Sequence, residues 1–285
     1  MIASATSSAS PSRTPNVVSI AGVDPSGGAG IFADLKTFSA LGAYGCGVVA
    51  ALTAQNTRSV TGVHLPPTDF IRLQIDTLFA DVAIASAKIG MLGTAGVVRT
   101  VADALLGRPL PYLVLDPVMV AKSGDRLLAD DAIAMLREAL FPLATMITPN
   151  LPEAAVLLKL STPESPKEMR RAAEKLREIL PHSGRRWVLL KGGHLPGGDL
   201  LDLLFDGDNM IELESRRVET NNTHGTGCTY SAAIAALLPQ RPEVPSAVLD
   251  AHRWLARAIE RSGDLAVAST PTGHGPVHHF HALWR

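Results

Sequence analysis

Apolar, β-branched runs alternate with amphipathic segments along most of this chain. Val17-Val18-Ser19-Ile20-Ala21 predicts a first strand, and residues 28–41 a helix with Ile31, Leu35 and Phe38 on one face. Gly45 to Leu52 is an apolar run of the kind that forms a strand buried on both faces. The pattern continues with helices over 70–79, 95–106, 130–140 and 166–180, and strands over 84–89, 112–116, 145–148 and 187–191. Residues 200–205 and 210–213 flank Asp206-Gly207-Asp208-Asn209, which reads as a hairpin turn. Two helices, about 226–238 and 246–262, close the chain. This β-α alternation predicts an α/β fold, a mostly parallel central sheet covered by helices on both sides. In such sheets ligands gather beyond the carboxyl ends of the strands, so the polar residues that end them are the ones to weigh.

No internal repeat is visible, and no Pro/Gly linker separates two compositional regimes, so residues 16–285 read as one domain. Residues 1–15, rich in Ser, Ala, Thr and Pro, lack the apolar stretch of a secretory signal and read as a disordered extension; Arg13 is their one basic residue, which leaves little for organelle targeting. Hydrophobic residues make up 46% of the 285, enough for a large core, and the net charge of −1 gives no basic field for nucleic acid. No apolar run is long enough to cross a bilayer. Two cysteines, Cys46 and Cys228, are too few for a disulfide framework and fit a reducing cytoplasm. Cys46, in an apolar run, reads as core.

The most informative segment is Asn222-Thr223-His224-Gly225-Thr226-Gly227-Cys228, which leads into an alanine-rich helical run. A helix that opens on glycines presents bare N–H groups, and these with the macrodipole form an anion site. Cys228 stands in the first turn, where a thiolate is favoured, so anion hole and candidate base would be adjacent. The plainer readings are a simple turn and a small buried cysteine.

A second glycine-rich turn, Gly22 to Gly30, follows the first strand. No glycine stands three residues after Gly30, which rejects the dinucleotide fingerprint, and no Gly-Lys-Ser/Thr ending occurs, which rejects a P-loop. A structural turn remains open. Asp116-Pro117-Val118-Met119, Thr148-Pro149-Asn150-Leu151-Pro152-Glu153 and Lys191-Gly192-Gly193-His194 end three further strands. They bring an acid, an amide, a carboxylate and a lysine to one edge, which is what Mg²⁺ and phosphate groups require.

These segments, with Asp34 to Thr37, Ala54-Gln55-Asn56-Thr57, Lys88-Ile89-Gly90-Met91, Asp116 to Gly124 and the tail Gly273 to His281, resemble in order the hydroxymethylpyrimidine/phosphomethylpyrimidine kinases of thiamine biosynthesis, members of the ribokinase-like superfamily. The resemblance implies a three-layer α/β/α sandwich and an ATP- and Mg²⁺-dependent enzyme, with a monovalent cation as a further candidate. It would phosphorylate 4-amino-5-hydroxymethyl-2-methylpyrimidine and then its monophosphate. Cys228 would be the general base, and the amides of Gly225, Thr226 and Gly227 would stabilise the migrating phosphoryl group. A thiol suits that task at neutral pH only with a lowered pKa, which the helix start would promote. Gln55 would recognise the aminopyrimidine edge, donating and accepting together, and Gly22, Asp24, Val49, Met91 and Val118 would shape the pocket. Asp116, Lys191 and Thr223 would lie on the phosphate side, and Asn150 and Glu153 would organise Mg²⁺, partly through water. The family implies a homodimer.

Two other readings stay open. A pyridoxal or pyridoxine kinase of the same superfamily acts on a similar hydroxymethyl-bearing ring. A non-catalytic pyrimidine-binding module is opposed by the presence of Asn150, Glu153, Gly225 and Gly227. His278, His279 and His281 invite a metal reading, against which stands a C-terminal segment docked on the sheet.

Overall fold

The computed structural model describes residues 14–119, 128–195, 199–270 and 273–284. The expected N-terminal extension, as far as residue 13, and residues 120–124 of the segment that starts at Asp116 lie outside the described residues.

Among the described residues nine strands form one sheet in the order β3-β2-β1-β4-β5-β6-β7-β8-β9. They are β1 (Asn16–Val23), β2 (Tyr44–Gln55), β3 (Val60–His64), β4 (Ser86–Ile89), β5 (Tyr112–Leu115), β6 (Met146–Ile147), β7 (Trp187–Leu190), β8 (Asp199–Phe205) and β9 (Met210–Arg216). From β2 to β7 the pairing is parallel, and β3, β8 and β9 add antiparallel edges. The helices are α1 (Gly30–Ala40), α2 (Thr68–Asp81), α3 (Ala95–Leu105), α4 (Asp130–Met135), α5 (Leu151–Leu158), α6 (Pro166–Glu178), α7 (Thr226–Leu237) and α8 (Val244–Glu260).

Strand alternation divides the core in two. Val18 and Ile20 of β1 and Ala87 and Ile89 of β4 pack with Ile71 and Ile75 of α2 and the apolar faces of α3, α5 and α6. Val17, Val114, Met146, Trp187 and Leu189 pack on the other side with Phe38 of α1, the alanine-rich α7, and α8. The expected three layers are therefore present. The same alternation throws Lys88, Asp116, Thr148 and Lys191 onto the side of α1 and α7, because their neighbours Ile89, Leu115, Ile147 and Leu190 belong to the opposite cluster.

Several expectations need correction. The 45–52 run is not buried on both faces, since Gly47 is exposed and Leu52 is 43% exposed. β2 has only the short, exposed β3 outside it, so little covers its outer end. The 130–140 helix changes register after Met135 into a π turn, where Phe141 N donates to Leu136 O. The strands at 17–21 and 210–213 extend to Asn16–Val23 and Met210–Arg216. The C-terminal segment docks not on the sheet but on α8 and the loop before α7, through His278 N to Ala258 O (2.9 Å) and His224 N to Gly275 O (3.0 Å).

Candidate active site

The strand order reverses beside β1, since β2 lies on one side of it and β4 on the other. A crevice opens at such a switch point, at the carboxyl ends of the strands. The loop after β1, the loop after β4 and the start of α7 meet there.

Gly225 caps α7 with φ +73°, a left-handed conformation that favours glycine. Its neighbour is the carbonyl of Gly28; a Cβ on Gly225 would lie 1.7 Å from that oxygen. The two glycine-rich loops are thus pressed together, and His224 locks them. His224 Nε2 lies 2.7 Å from Asp24 Oδ2, and Asp24 also accepts from Ser26 N (2.9 Å), Ser26 Oγ (2.9 Å) and Ala29 N (3.0 Å). Burial alone would raise the Asp24 carboxyl, but His224 and Ser26 outweigh it and hold it below the usual carboxylate range. Asp24 is therefore buried beneath the loops, where it shapes the pocket by fixing their path.

Thr226 is tied back to Thr223 O through its N (3.3 Å) and Oγ1 (2.8 Å). The amides of Gly227 and Cys228, in the first turn, have no intrahelical acceptor, which is the arrangement an anion needs. Beneath Gly227 stands Lys191, whose Nζ would be 3.2 Å from a Cβ placed there. Lys191 donates to Asp116 Oδ1 (2.9 Å), which also accepts from Thr148 Oγ1 (3.1 Å). Burial works against both charges. Lys191 and Lys88 nevertheless hold Asp116 below the ordinary range, and Asp116 and Glu153 hold Lys191 above it. The ammonium is thus fixed as a cation under the helix start.

Asn150 and Glu153 lie next to this pair, and Asn150 bridges to Lys191 between the strand ends. They form a capping box on α5: Asn150 N donates to Glu153 Oε2 and Glu153 N to Asn150 Oδ1, both at 2.8 Å. Burial pushes Glu153 up to about 7, against the pull of Lys191. Each of these oxygens accepts one hydrogen bond, and among the described residues no group of three or more His, Cys, Asp or Glu could encase a metal ion. An acidic edge that holds a hydrated Mg²⁺ through water does fit.

Cys228 is half-buried, and its sulfur accepts from Gly30 N–H. Burial pushes the thiol above its ordinary value, with Lys88 the chief opposing influence. The expected lowering by the helix start is not found. Desolvation of the thiolate, together with the carboxylates of Asp116 and Asp34, outweighs the cationic field.

Gly22, after a bulge in β1, abuts Met91. Met91 lines an open cavity of about 350 Å³ with Val63, Leu65, Gly93, Thr94, Leu128 and Ala129. Gln55 lines a separate small polar pocket with Asn56, Arg58, His224 and His274, and its Oε1 accepts from Thr53 Oγ1 (3.1 Å). Val49, within β2, and Val118, just after β5, are half-buried, and Val49 has its N and O both bonded to the Gln74 amide. Of the residues expected to hold the ring, Gln55 and Met91 thus line two separate recesses.

Three residues given no role by the sequence reading belong to the site: His224, Asp34 and Lys88. Asp34 stands three positions after Ile31 on the apolar face of α1, and Lys88 interrupts an apolar strand. A charge where the pattern asks for a hydrophobe was the available signal.

A nine-stranded, mostly parallel sheet of this order, covered by helices on both sides, places the protein among the ribokinase-like α/β kinases. The chain belongs to the phosphomethylpyrimidine kinase family, whose profile matches residues 24–278. It is 49% identical over 269 residues to the hydroxymethylpyrimidine/phosphomethylpyrimidine kinase of Escherichia coli, covering 94% of this chain and 98% of that one. Among solved structures it is similar to an ADP complex of Bacillus subtilis pyridoxal kinase (TM-score 0.83, 33% identity, 94% of this chain and 98% of that one). It is also similar to the phosphomethylpyrimidine kinase of Clostridium difficile (TM-score 0.75, 37% identity, 86% and 100%).

Proposed function

We infer that this chain transfers the terminal phosphoryl group of ATP to the hydroxymethyl oxygen of 4-amino-5-hydroxymethyl-2-methylpyrimidine. A second transfer to the monophosphate then gives the diphosphate, a thiamine precursor. The observation that carries the reading is the start of α7, where first-turn amides, the Lys191 ammonium and the Cys228 sulfur come together at the sheet's switch point. In the first transfer the hydroxymethyl oxygen attacks the terminal phosphorus and the bond to the ADP oxygen breaks. The hydroxyl proton passes to the Cys228 sulfur in its thiolate form, a form that burial disfavours and the Lys88 ammonium favours. The amides of Gly225, Gly227 and Cys228 with Lys191 take up charge on the migrating group, whereas that of Thr226, expected to join them, is bonded to Thr223 O. Asp116 keeps Lys191 in place, Thr223 shapes the loop, and Gln55, Gly22, Val49, Met91 and Val118 hold the ring. Mg²⁺ on the Glu153–Asn150 edge, held through water, would neutralise phosphate charge.

A pyridoxal kinase is the second reading, favoured by the likeness to the Bacillus subtilis enzyme. The higher identity to the pyrimidine kinase of Escherichia coli favours the first. Mass spectrometry of products formed with ATP, Mg²⁺ and either ring separates them. Pyrimidine mono- and diphosphate support the first reading; pyridoxal phosphate with no pyrimidine product overturns it.

The reading includes a cytoplasmic homodimer. Exposed apolar side chains Leu52, Val63, Phe70 and Leu73 on β2, β3 and α2 support a self-associating face. Among the described residues no helix is long and apolar enough to cross a membrane. Sedimentation of the purified chain as a monomer would remove the dimer.

A further inference from the structure

We propose that the C-terminal segment 273–281 is a positioning brace of the active site, which holds the loop after Gln55 and the turn before α7 at a fixed separation. This rests on the reading of the chain as a kinase with Gln55 at the ring and the α7 start at the phosphate.

The segment has an anchored end and a reaching end. The anchored end lies on α8. His278 N donates to Ala258 O (2.9 Å), Val277 is fully buried, and the His281 ring stands 5.4 Å from that of Trp254. The reaching end meets both halves of the site through consecutive residues. His274 N donates to Thr57 O (2.9 Å), two residues after Gln55. Gly275 O accepts from His224 N (3.0 Å), and Pro276 bridges to His224 in parallel. His274 lines the small polar pocket that Gln55, Thr57 and His224 also line. Further along, His279 Nε2 lies 3.2 Å from Thr229 Oγ1, on the residue after Cys228. A tail that served only to cover α8 would need the contacts of the anchored end and no others. Here the main-chain donor and acceptor of adjacent residues go to the two loops that carry the ring contact and the α7 start. The fit is close. A Cβ on Gly275 would lie 2.1 Å from Asn222 Oδ1, and Asn222 is itself held through its Nδ2 by Ser262 O (2.9 Å). Ring and phosphate contacts must bring one oxygen to one phosphorus, so a displacement of about 1 Å between them costs on the order of 10²-fold in rate.

The test uses the full-length chain and whichever ring the parent phosphorylates, so a wrong substrate reading shows in the parent and a failed brace only in the variants. Gly275→Ala forces the brace away from Asn222. It is expected to lower kcat/KM for the ring on the order of 10²-fold, measured well below its unfolding midpoint. Adding Asn222→Ala removes the obstacle and should restore most of that loss. A segment that only stabilises the fold would lower the unfolding midpoint of Gly275→Ala and leave the kinetics of the folded enzyme unchanged. That result, or no rescue by Asn222→Ala, would overturn the proposal. If Gly275→Ala does not fold, His274→Pro and His274→Ala decide: the proline deletes the amide that reaches Thr57, and the alanine keeps it. A ring KM about 3- to 10-fold higher in the proline variant than in the alanine variant supports the brace, and equal values overturn it.

Discussion

His224 Nε2 and Asp24 Oδ2, 200 residues apart in the chain, meet at 2.7 Å and join the turn after β1 to the turn before α7. Neither turn has regular pairing of its own. Their mutual position depends on this contact, on the packing of Gly225 against Gly28, and on the bond from His224 N to Gly275 O. His224→Ala should therefore lower stability by about 1.5–3 kcal/mol, the worth of a hydrogen bond to a charged group. Thermal unfolding measures it, and an unchanged midpoint would deny the clamp.

The two glycines of the α7 start should fail differently. At Gly225 a side chain meets positive φ and the Gly28 carbonyl, so Gly225→Ala should cost at least about 1–3 kcal/mol of stability. At Gly227 the first obstacle is the flexible end of Lys191. Gly227→Ala should keep the fold and lose turnover by displacing that ammonium. Denaturant unfolding set beside kcat separates the two, and equal loss of stability would merge them.

Cys228→Ala should lower kcat by about 10²- to 10⁴-fold, the usual worth of a general base. The dissociation constant for the pyrimidine should change little, because the role proposed for the sulfur is toward the acceptor oxygen and not the ring edge. Steady-state kinetics and calorimetry together check this.

Much of this was legible in the sequence and some was not, for identifiable reasons. The long apolar strands and the helices with a clear apolar face, such as α6 and α8, follow from periodicity. β3 was missed because four of its five residues are exposed and carry no pattern. α5 was missed because Asn150 and Glu153 have the spacing of both a capping box and a cation motif. The sequence reading took the second; the hydrogen bonds show the first, which is compatible with a cation held there through water. The helix start that ought to lower the Cys228 pKa was visible, but the burial that reverses the shift depends on α1 and β4 closing over it, which no local pattern records.

Gln55→Ala should weaken pyrimidine binding by about 1–3 kcal/mol, the cost of leaving a polar ring edge unpaired, and change nucleotide binding far less. Calorimetry with each ligand checks the contrast; equal losses would place Gln55 outside ring recognition.

The C-terminal segment carries a pH signature. Burial lowers His279 to about 3, and its Nε2 lies 3.2 Å from Thr229 Oγ1, next to Cys228. In the unfolded chain this histidine titrates near 6.5. Between those values the unfolded state binds the extra proton, so His279 makes stability fall as pH drops from about 6.5 towards 3. His279→Asn should flatten the acid side of the stability profile; an unchanged slope would show that His279 takes up its proton in the folded state as well.

A crystal structure of the chain with a non-hydrolysable ATP analogue and the hydroxymethylpyrimidine tests the assignment of the α7 start most directly. The account predicts the terminal phosphate on the amides of Gly225, Gly227 and Cys228 beside Lys191, with Cys228 Sγ at hydrogen-bond distance from the hydroxymethyl oxygen. A phosphate seated elsewhere, or a sulfur turned away from that oxygen, would contradict it.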